Sequence, residues 1–219
     1  MENLQKKDFI EINFTGRIKG GDIFDSNIKE DLMKIPNASQ EQAKPLIFPL
    51  GEGMFLKGIE DFLIGKKIRK YEIELTPEKA FGQRQQFLVQ VMPIKVFAQQ
   101  EVIPHQGMIF NFDGRIGKIL SVSGGRVIVD FNNPLAGKTV IYDITIIKKI
   151  DDLNEKIRSF LEFLFKKEFK FEIKEGKIVL EVEKKMKQFV ELFKDKFKEV
   201  FGLNLEIKEI AEKQETKNQ

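Results

Sequence analysis

FTGRIKGGDIFDSN (Phe14–Asn27) sets a Gly20-Gly21-Asp22 cluster between two runs of strand-forming residues. Upstream, Ile10, Ile12 and Phe14 fall on alternate positions, with Glu11 and Asn13 between them. Downstream, Ile23-Phe24 resumes the apolar run. Alternation interrupted by a glycine-rich turn is a hairpin signal. The pattern continues in short elements. Pro45 to Leu50 (PLIFPL) reads as a short strand closed by Gly51 and Gly53, and Ile68 to Leu75 as another, halted by Thr76-Pro77. Between them, Lys57 to Gly65 carries Ile59, Phe62 and Leu63 on one helical face, which predicts a two-turn helix. Asn27 to Lys44 is polar, contains Pro36 and reads as a long surface loop.

Composition removes several kinds of chemistry. The 219 residues suit one large domain or two to three small ones. Without cysteine there is no disulfide, thiolate metal site or thiol nucleophile, and the single histidine, His105, cannot build a histidine metal cluster. No metal and no cofactor are therefore expected. The charge of +3 is the small difference between 37 basic and 34 acidic residues, which argues against a dedicated polyanion binder. Aromatic residues are unusual in kind: 21 Phe against 2 Tyr and no Trp, so ring surface is plentiful and ring hydroxyls are scarce. The opening MENLQKKDFIEINF lacks the apolar run of a secretory signal, and no segment reaches the length of a membrane span. The chain reads as cytoplasmic, with no membrane partner.

Two further regions differ from the first. Residues 83–137 hold only 5 basic and 3 acidic residues, with strand-like runs at Phe87 to Met92, Met108 to Phe112, Gly117 to Val122 and Arg126 to Phe131. Ser123-Gly124-Gly125 turns between the last two, and the whole reads as a small β-domain. Residues 151–219 hold 16 residues of each sign and change to helical periods. Leu153, Ile157, Phe160, Leu161 and Leu164 form one stripe; Met186, Phe189, Val190, Phe193, Phe197, Val200 and Phe201 form a second, ended by Gly202. Alternating runs around Glu175-Gly176 and at Leu203 to Ile207 complete an α-β-β-α-β order, two helices on one face of a three-stranded sheet. The stripes read first as core. Their excess over what a small sheet can cover leaves apolar surface for self-association, so a homodimer through 151–219 is expected. This segment has zero net charge and no GxxG loop, so no nucleic acid is expected. AEKQETKNQ reads as a frayed polar tail.

One tripeptide invites a different reading. Gly137-Lys138-Thr139 matches the end of a phosphate-binding loop, but Asn132 stands where the first glycine belongs and Pro134 removes a donor. Val140 to Ile147 follows as a β-branched strand, where a phosphate loop requires a helix. Gly51-Glu52-Gly53 likewise fails as a dinucleotide motif, because Leu56 replaces the third glycine.

Four stretches in order, FTGRIKGGDIFDSN, PLIFPLGEGMFLKGIEDFLIGKK, ELTPEKAFG and AGKTVIYDITIIKK, resemble the FKBP-type peptidyl-prolyl cis-trans isomerases. The block between AFG and the last strand sits where the SlyD-like members carry an insert-in-flap domain. The α-β-β-α-β tail looks like that of the long archaeal FKBP-type isomerases. The resemblance implies an α+β fold, with an antiparallel half-barrel sheet wrapped on a short helix, an inserted small β-domain and a C-terminal α-β-β-α-β domain. Its divisions would be 1–82 with 137–150 for the isomerase domain, 83–136 for the chaperone insert and 151–219 for the C-terminal domain.

The resemblance also implies a prolyl pocket made of Phe14, Phe24, Asp25, Leu46, Phe55, Leu56, Ile59, Phe81 and Tyr142. Ile59 would form the floor, while Phe24, Phe81 and Tyr142 would line the walls. Asp25 would stand beside the amide, and the Leu56 N–H would hold a substrate carbonyl. Phe14 and Phe81 stand where tyrosines are usual, and Ile59 where many members carry tryptophan. The His- and Cys-rich metal-binding tail of SlyD is missing, so nickel binding by that route is not implied. In the insert, Val89, Val91, Met92, Ile94, Phe97, Met108 and Phe110 would bind unfolded polypeptide. Implied partners are unfolded or proline-containing polypeptides. The alternative is a holdase chaperone whose isomerase scaffold is catalytically weak.

Overall fold

The computed structural model of the chain describes residues 3–210; the expected polar tail lies outside the described residues. Strand β1 (Phe9–Ile18) turns into β2 (Ile23–Ser26), the Ile18 N–H donating to the Asp22 carbonyl across the turn. Ile10, Ile12 and Phe14 are buried, as alternation requires. Phe9 is buried as well, on the opposite face of β1, and this the alternation does not predict.

The expected loop at Asn27 to Lys44 is more ordered than its polarity suggests. It contains a single helical turn, α1 (Lys29–Leu32), with Leu32 buried. The buried Asn27 side chain accepts from the Phe14 N–H and donates to the carbonyls of Ile12 and Lys44. A polar residue thus takes the place of ladder hydrogen bonds and pins the segment to β1.

Strand β3 (Leu46–Pro49) lies antiparallel to β1, with Ile10 opposite Phe48 and Ile12 opposite Leu46. Helix α2 (Lys57–Leu63) buries Ile59 and Leu63 completely, while Phe62 is half-buried with its ring 5.7 Å from Tyr71. Strand β4 (Lys70–Leu75) buries Tyr71, Ile73 and Leu75 in strict alternation.

The low-charge region builds a separate four-stranded sheet. It comprises β5 (Val89–Pro93), the helical turn α3 (Lys95–Ala98), β6 (Ile109–Phe112), β7 (Arg115–Ser123) and β8 (Arg126–Asp130). The order is β5-β8-β7-β6, antiparallel throughout. Gly124 and Gly125, at φ +57° and +77°, allow the tight turn from β7 to β8, since two consecutive positive φ values exclude most side chains. Phe97, Ile119, Val127 and Val129 form its core.

Strand β9 (Val140–Ile150) completes the first sheet, of order β2-β1-β9-β4, with β3 also paired to β1. Helix α4 (Leu153–Phe165) follows, capped by Asp152, whose carboxylate accepts from the Glu155 N–H at 2.7 Å. Then come β10 (Phe171–Lys174), β11 (Lys177–Glu183), α5 (Lys187–Glu191), α6 (Lys194–Phe201) and β12 (Asn204–Ile210). β11 is central, antiparallel to β10 and parallel to β12. Ile178, Leu180 and Val182 face the core, whereas Lys–Glu pairs such as Lys177–Glu206 and Lys208–Glu181 join β11 to β12.

The second stripe is not one helix. It breaks between α5 and α6, and the halves meet different rings of α4: Phe189 and Phe193 pack on Phe165, Phe197 and Phe201 on Phe160. Five residues separate Phe160 from Phe165, which is roughly 140° around a helix of 3.6 residues per turn, so one straight helix could not reach both.

By contact density the chain divides into two compact units. Of the described residues, one takes 3–15, Asp25–Glu72 and 143–210; the other takes Gly16–Phe24 and Ile73–Tyr142. The C-terminal helices thus share a unit with the start of β1. The Phe9 ring stacks on Phe201 at 5.5 Å and meets Phe160 edge-on at 6.4 Å, which accounts for its burial.

Candidate active site

The expected pocket residues fall into two groups, one in each unit. In the first, the Phe14 ring on β1 meets Phe55 edge-on at 4.9 Å, and Phe55 packs on Phe48 at 5.4 Å. Ile59 lies fully buried in α2, and Leu46 is half-buried on β3. Leu46 also lines a cavity of about 500 Å³ with Ser39, Pro45, Ser159, Phe163 and Lys166. Burial pushes the Asp25 carboxyl above its ordinary range, and a hydrogen bond from the Ser26 backbone only partly offsets this.

Leu56 is the N-cap of α2, its carbonyl accepting from the N–H groups of Ile59 and Glu60. No group among the described residues accepts from the Leu56 N–H itself. The loop before it is held by a residue that no sequence pattern singles out. Glu60 is buried, and its carboxylate accepts from the N–H groups of Gly51 at 2.7 Å, Gly53 at 3.1 Å and Phe55 at 2.6 Å. Three charge-assisted hydrogen bonds on one carboxylate fix the backbone that carries Phe55 and Leu56. A glutamate on a short helix reads as surface, and only the glycine-rich loop upstream, with donors to satisfy, hints otherwise.

In the second unit, Phe24 is the centre. Phe81 and Tyr142 both meet its ring edge-on, each at 5.7 Å. Gly16 lies beneath: a Cβ there would come within 2.8 Å of Tyr142 and 3.0 Å of Phe24. Its absence of side chain is therefore a packing requirement. Glycine inside a strand pattern marks such close approach, and Gly16 was readable on that signal.

The insert residues separate by burial. Val91 is 63% exposed and Ile94 lies at the surface, whereas Val89, Met92, Met108 and Phe110 are half-buried. Phe97 is completely buried at the centre of the core, against Phe110 and Phe112, so its expected role as a client contact gives way to a structural one. Phe87, Ile103, Ile109 and Ile116 are strongly exposed instead. Ile109 pairs with Lys118 and Asn111 with Ile116, which sets the two isoleucines diagonally on one face of the β6–β7 hairpin.

Among the described residues no cluster of three His, Cys, Asp or Glu side chains could hold a metal, and no helix is long and apolar enough to cross a membrane.

Comparison with known proteins gives the class. A family model described as FKBP26, IF domain, matches residues 90–135. A short-type peptidyl-prolyl cis-trans isomerase of Methanocaldococcus jannaschii is 31% identical over 152 residues, covering 67% of this chain and 94% of the relative. A probable FKBP-type 16 kDa peptidyl-prolyl cis-trans isomerase of Pseudomonas fluorescens is 31% identical over 142 residues, 63% of this chain and 86% of the relative. The FKBP-type isomerase SlyD of Aeromonas hydrophila is 33% identical over 106 residues, 47% of this chain and 50% of the relative. The chain belongs to the FKBP-type peptidyl-prolyl cis-trans isomerases and is SlyD-like. Its reaction is rotation about the bond preceding proline.

Proposed function

We propose that this isomerase accelerates proline-limited folding of polypeptides that its inserted sheet captures while they are unfolded. The observation that carries the reading is the insert's surface: Val91, Ile103, Ile109 and Ile116 stand exposed around a core that is complete without them. β5 and β6 are edge strands of that sheet, suited to pairing with an extended chain. The insert spans 83–136, within an FKBP half-barrel of 1–82 and 137–150, with 151–219 as a C-terminal domain that pairs two copies. Exposed Phe189 and Leu192 support the pairing. A chain without cysteine suits the cytoplasm.

The chemistry asks for little functional-group equipment. Twisting an X–Pro amide breaks its resonance against a barrier of about 18–20 kcal/mol. A catalyst has to hold the prolyl ring among apolar side chains, exclude water and favour the twisted amide over the planar one. Lowering the barrier by about 4 kcal/mol raises the rate roughly a thousandfold. Phe14, Phe24, Leu46, Phe55, Ile59, Phe81 and Tyr142 supply the apolar contacts. Asp25, whose burial favours its neutral form, stands beside the amide, and the unpartnered Leu56 N–H receives a substrate carbonyl.

The test measures a proline tetrapeptide and a proline-limited refolding client side by side, with full-length protein and a version lacking 83–136. Loss of client acceleration with tetrapeptide turnover kept is the expected result; equal loss of both would refute a separate capture role. Phe14, Phe81 and Ile59, which replace hydroxyl- and indole-bearing residues of the family pattern, favour a second reading, a holdase with a weak catalytic scaffold. In that case aggregation of a client stays suppressed in Phe24→Ala, and wild-type tetrapeptide turnover barely exceeds the uncatalysed rate.

A further inference from the structure

The loop Gly51–Phe55 is gripped twice. From within, Glu60 takes three of its N–H groups. From the C-terminal segment, Lys196 on α6 donates to the Glu52 Oε2 at 2.7 Å. The Glu52 side chain is 1% exposed and that of Lys196 31%. The other Glu52 oxygen, Oε1, is buried with no hydrogen-bond partner among the described residues. The carboxylate therefore depends on Lys196 for its compensation, since an ionised group taken out of water must be paired or must move back to water. Lys196 is in turn held by Glu199 at 3.1 Å, and the Lys7 ammonium donates to the Glu199 carbonyl. Neighbouring rings fix α6 itself, through Phe9 on Phe201 and Phe160 on Phe197.

Glu52 lies only three residues before Phe55 and four before Leu56. If Glu52 swings outward to reach water, the backbone bearing Phe55 and the Leu56 N–H moves with it. We infer that Lys196 is a positioning residue for the isomerase reaction: through its ion pair with buried Glu52 it locks the Gly51–Phe55 loop, and so sets the Leu56 N–H that receives the substrate carbonyl. The inference rests on the reading of Leu56 as a substrate contact. It gives the C-terminal helix a part in catalysis within a single chain, independent of any pairing between copies. Lys196 does not touch substrate; it acts through Glu52.

The experiment uses full-length protein with Lys196→Met, Lys196→Arg and the double variant Glu52→Gln with Lys196→Met. Tetrapeptide kcat and KM are read together with amide hydrogen exchange at Gly53 and Phe55, whose N–H groups Glu60 holds. Lys196→Met is expected to lower kcat/KM about tenfold, chiefly through KM, and to speed exchange at both amides. Lys196→Arg keeps the pair and is expected to stay within about twofold of the parent. The double variant removes the uncompensated charge and is expected to regain most of the loss, which a general loss of folding would not do. Unchanged exchange in Lys196→Met would overturn the lock itself. Faster exchange with unchanged kcat/KM would overturn the inference by removing Leu56 from the substrate site. Failure of the double variant to recover, with its melting temperature unchanged, would also overturn it.

Discussion

The ring of Tyr142 stands edge-on to Phe24 at 5.7 Å, and both rings close over Gly16, where no β-carbon fits. Gly16→Ala must push one ring aside. Overpacking of this kind costs about 1–3 kcal/mol, and a displaced Phe24 or Tyr142 is expected to lower tetrapeptide kcat/KM by about tenfold, an effect of about 1.4 kcal/mol. A thermal melt and the tetrapeptide assay measure the two effects separately. Unchanged turnover would mean that neither ring meets the proline.

Asp25 gives a pH signature. Its folded pKa is raised by burial above the unfolded value, so between the two values the native chain holds the extra proton. Stability contributed by this group is therefore present at low pH and declines as pH rises through that window. Asp25→Asn, which carries no charge to bury, is expected to melt higher than the parent at pH 7. The gap should close as pH falls below the ordinary aspartate range, while turnover drops at every pH. Melting curves from pH 3 to 7 check the sign.

Asp130 has the opposite sign. Burial alone would raise its pKa, but hydrogen bonds from the Asn132 backbone and side chain and from Arg84 outweigh burial and hold it below the usual range. Asn132 also bonds both the N–H and the carbonyl of Gln85 through its side chain, tying the two crossings of the insert together. Stability from Asp130 is present at neutral pH and lost as pH falls through its folded value. Asp130→Asn is expected to melt lower than the parent at pH 7, with a deficit that narrows toward pH 3. An equal deficit at both pH values would assign the loss to packing instead.

The four-stranded sheet β5-β8-β7-β6 separates structural from surface aromatics and aliphatics. Phe97→Ala removes a fully buried ring and is expected to cost about 3–5 kcal/mol. Ile109→Ser with Ile116→Ser should leave the melt unchanged and weaken capture of an unfolded client several-fold. Aggregation-suppression assays on both variants decide this, and full capture by the double serine variant would move the client site elsewhere.

Leu192 and Phe189 test the pairing of chains. Both are exposed, at 77% and 49%, beside a ring cluster of Phe165 and Phe193. Leu192→Glu with Phe189→Glu is expected to convert a dimer to a monomer in sedimentation without changing tetrapeptide turnover.

The hairpin, the short helix and the strands of the insert were legible because periods of two and 3.6 survive wherever one face is buried. Phe9 was not: it lies on the face of β1 that alternation assigns to solvent, and residues some hundred and fifty or more positions later cover it. Glu52, Glu60 and Lys196 were missed because a charge in sequence reads as solvated, while burial with a partner is a tertiary fact. Within IFNF of β6 only the single polar residue Asn111 marks the face of Ile109 as the outer one, a weak signal in a strand of four residues. Phe97 sits on a helical turn of four residues, too short to show a period. The pocket residues became visible as a set only through family resemblance, since each alone reads as ordinary core.

Phe9 bears on how such a protein can be dissected. Its ring is shared property: the first strand of the isomerase ends its burial in rings supplied by α4 and α6. A chain cut after Lys149 would leave that ring in water and would strip Glu52 of Lys196. The C-terminal segment is therefore no detachable appendage, and grafting the isomerase into another chain requires either carrying these helices along or replacing Phe9 with a polar residue and Glu52 with a neutral one.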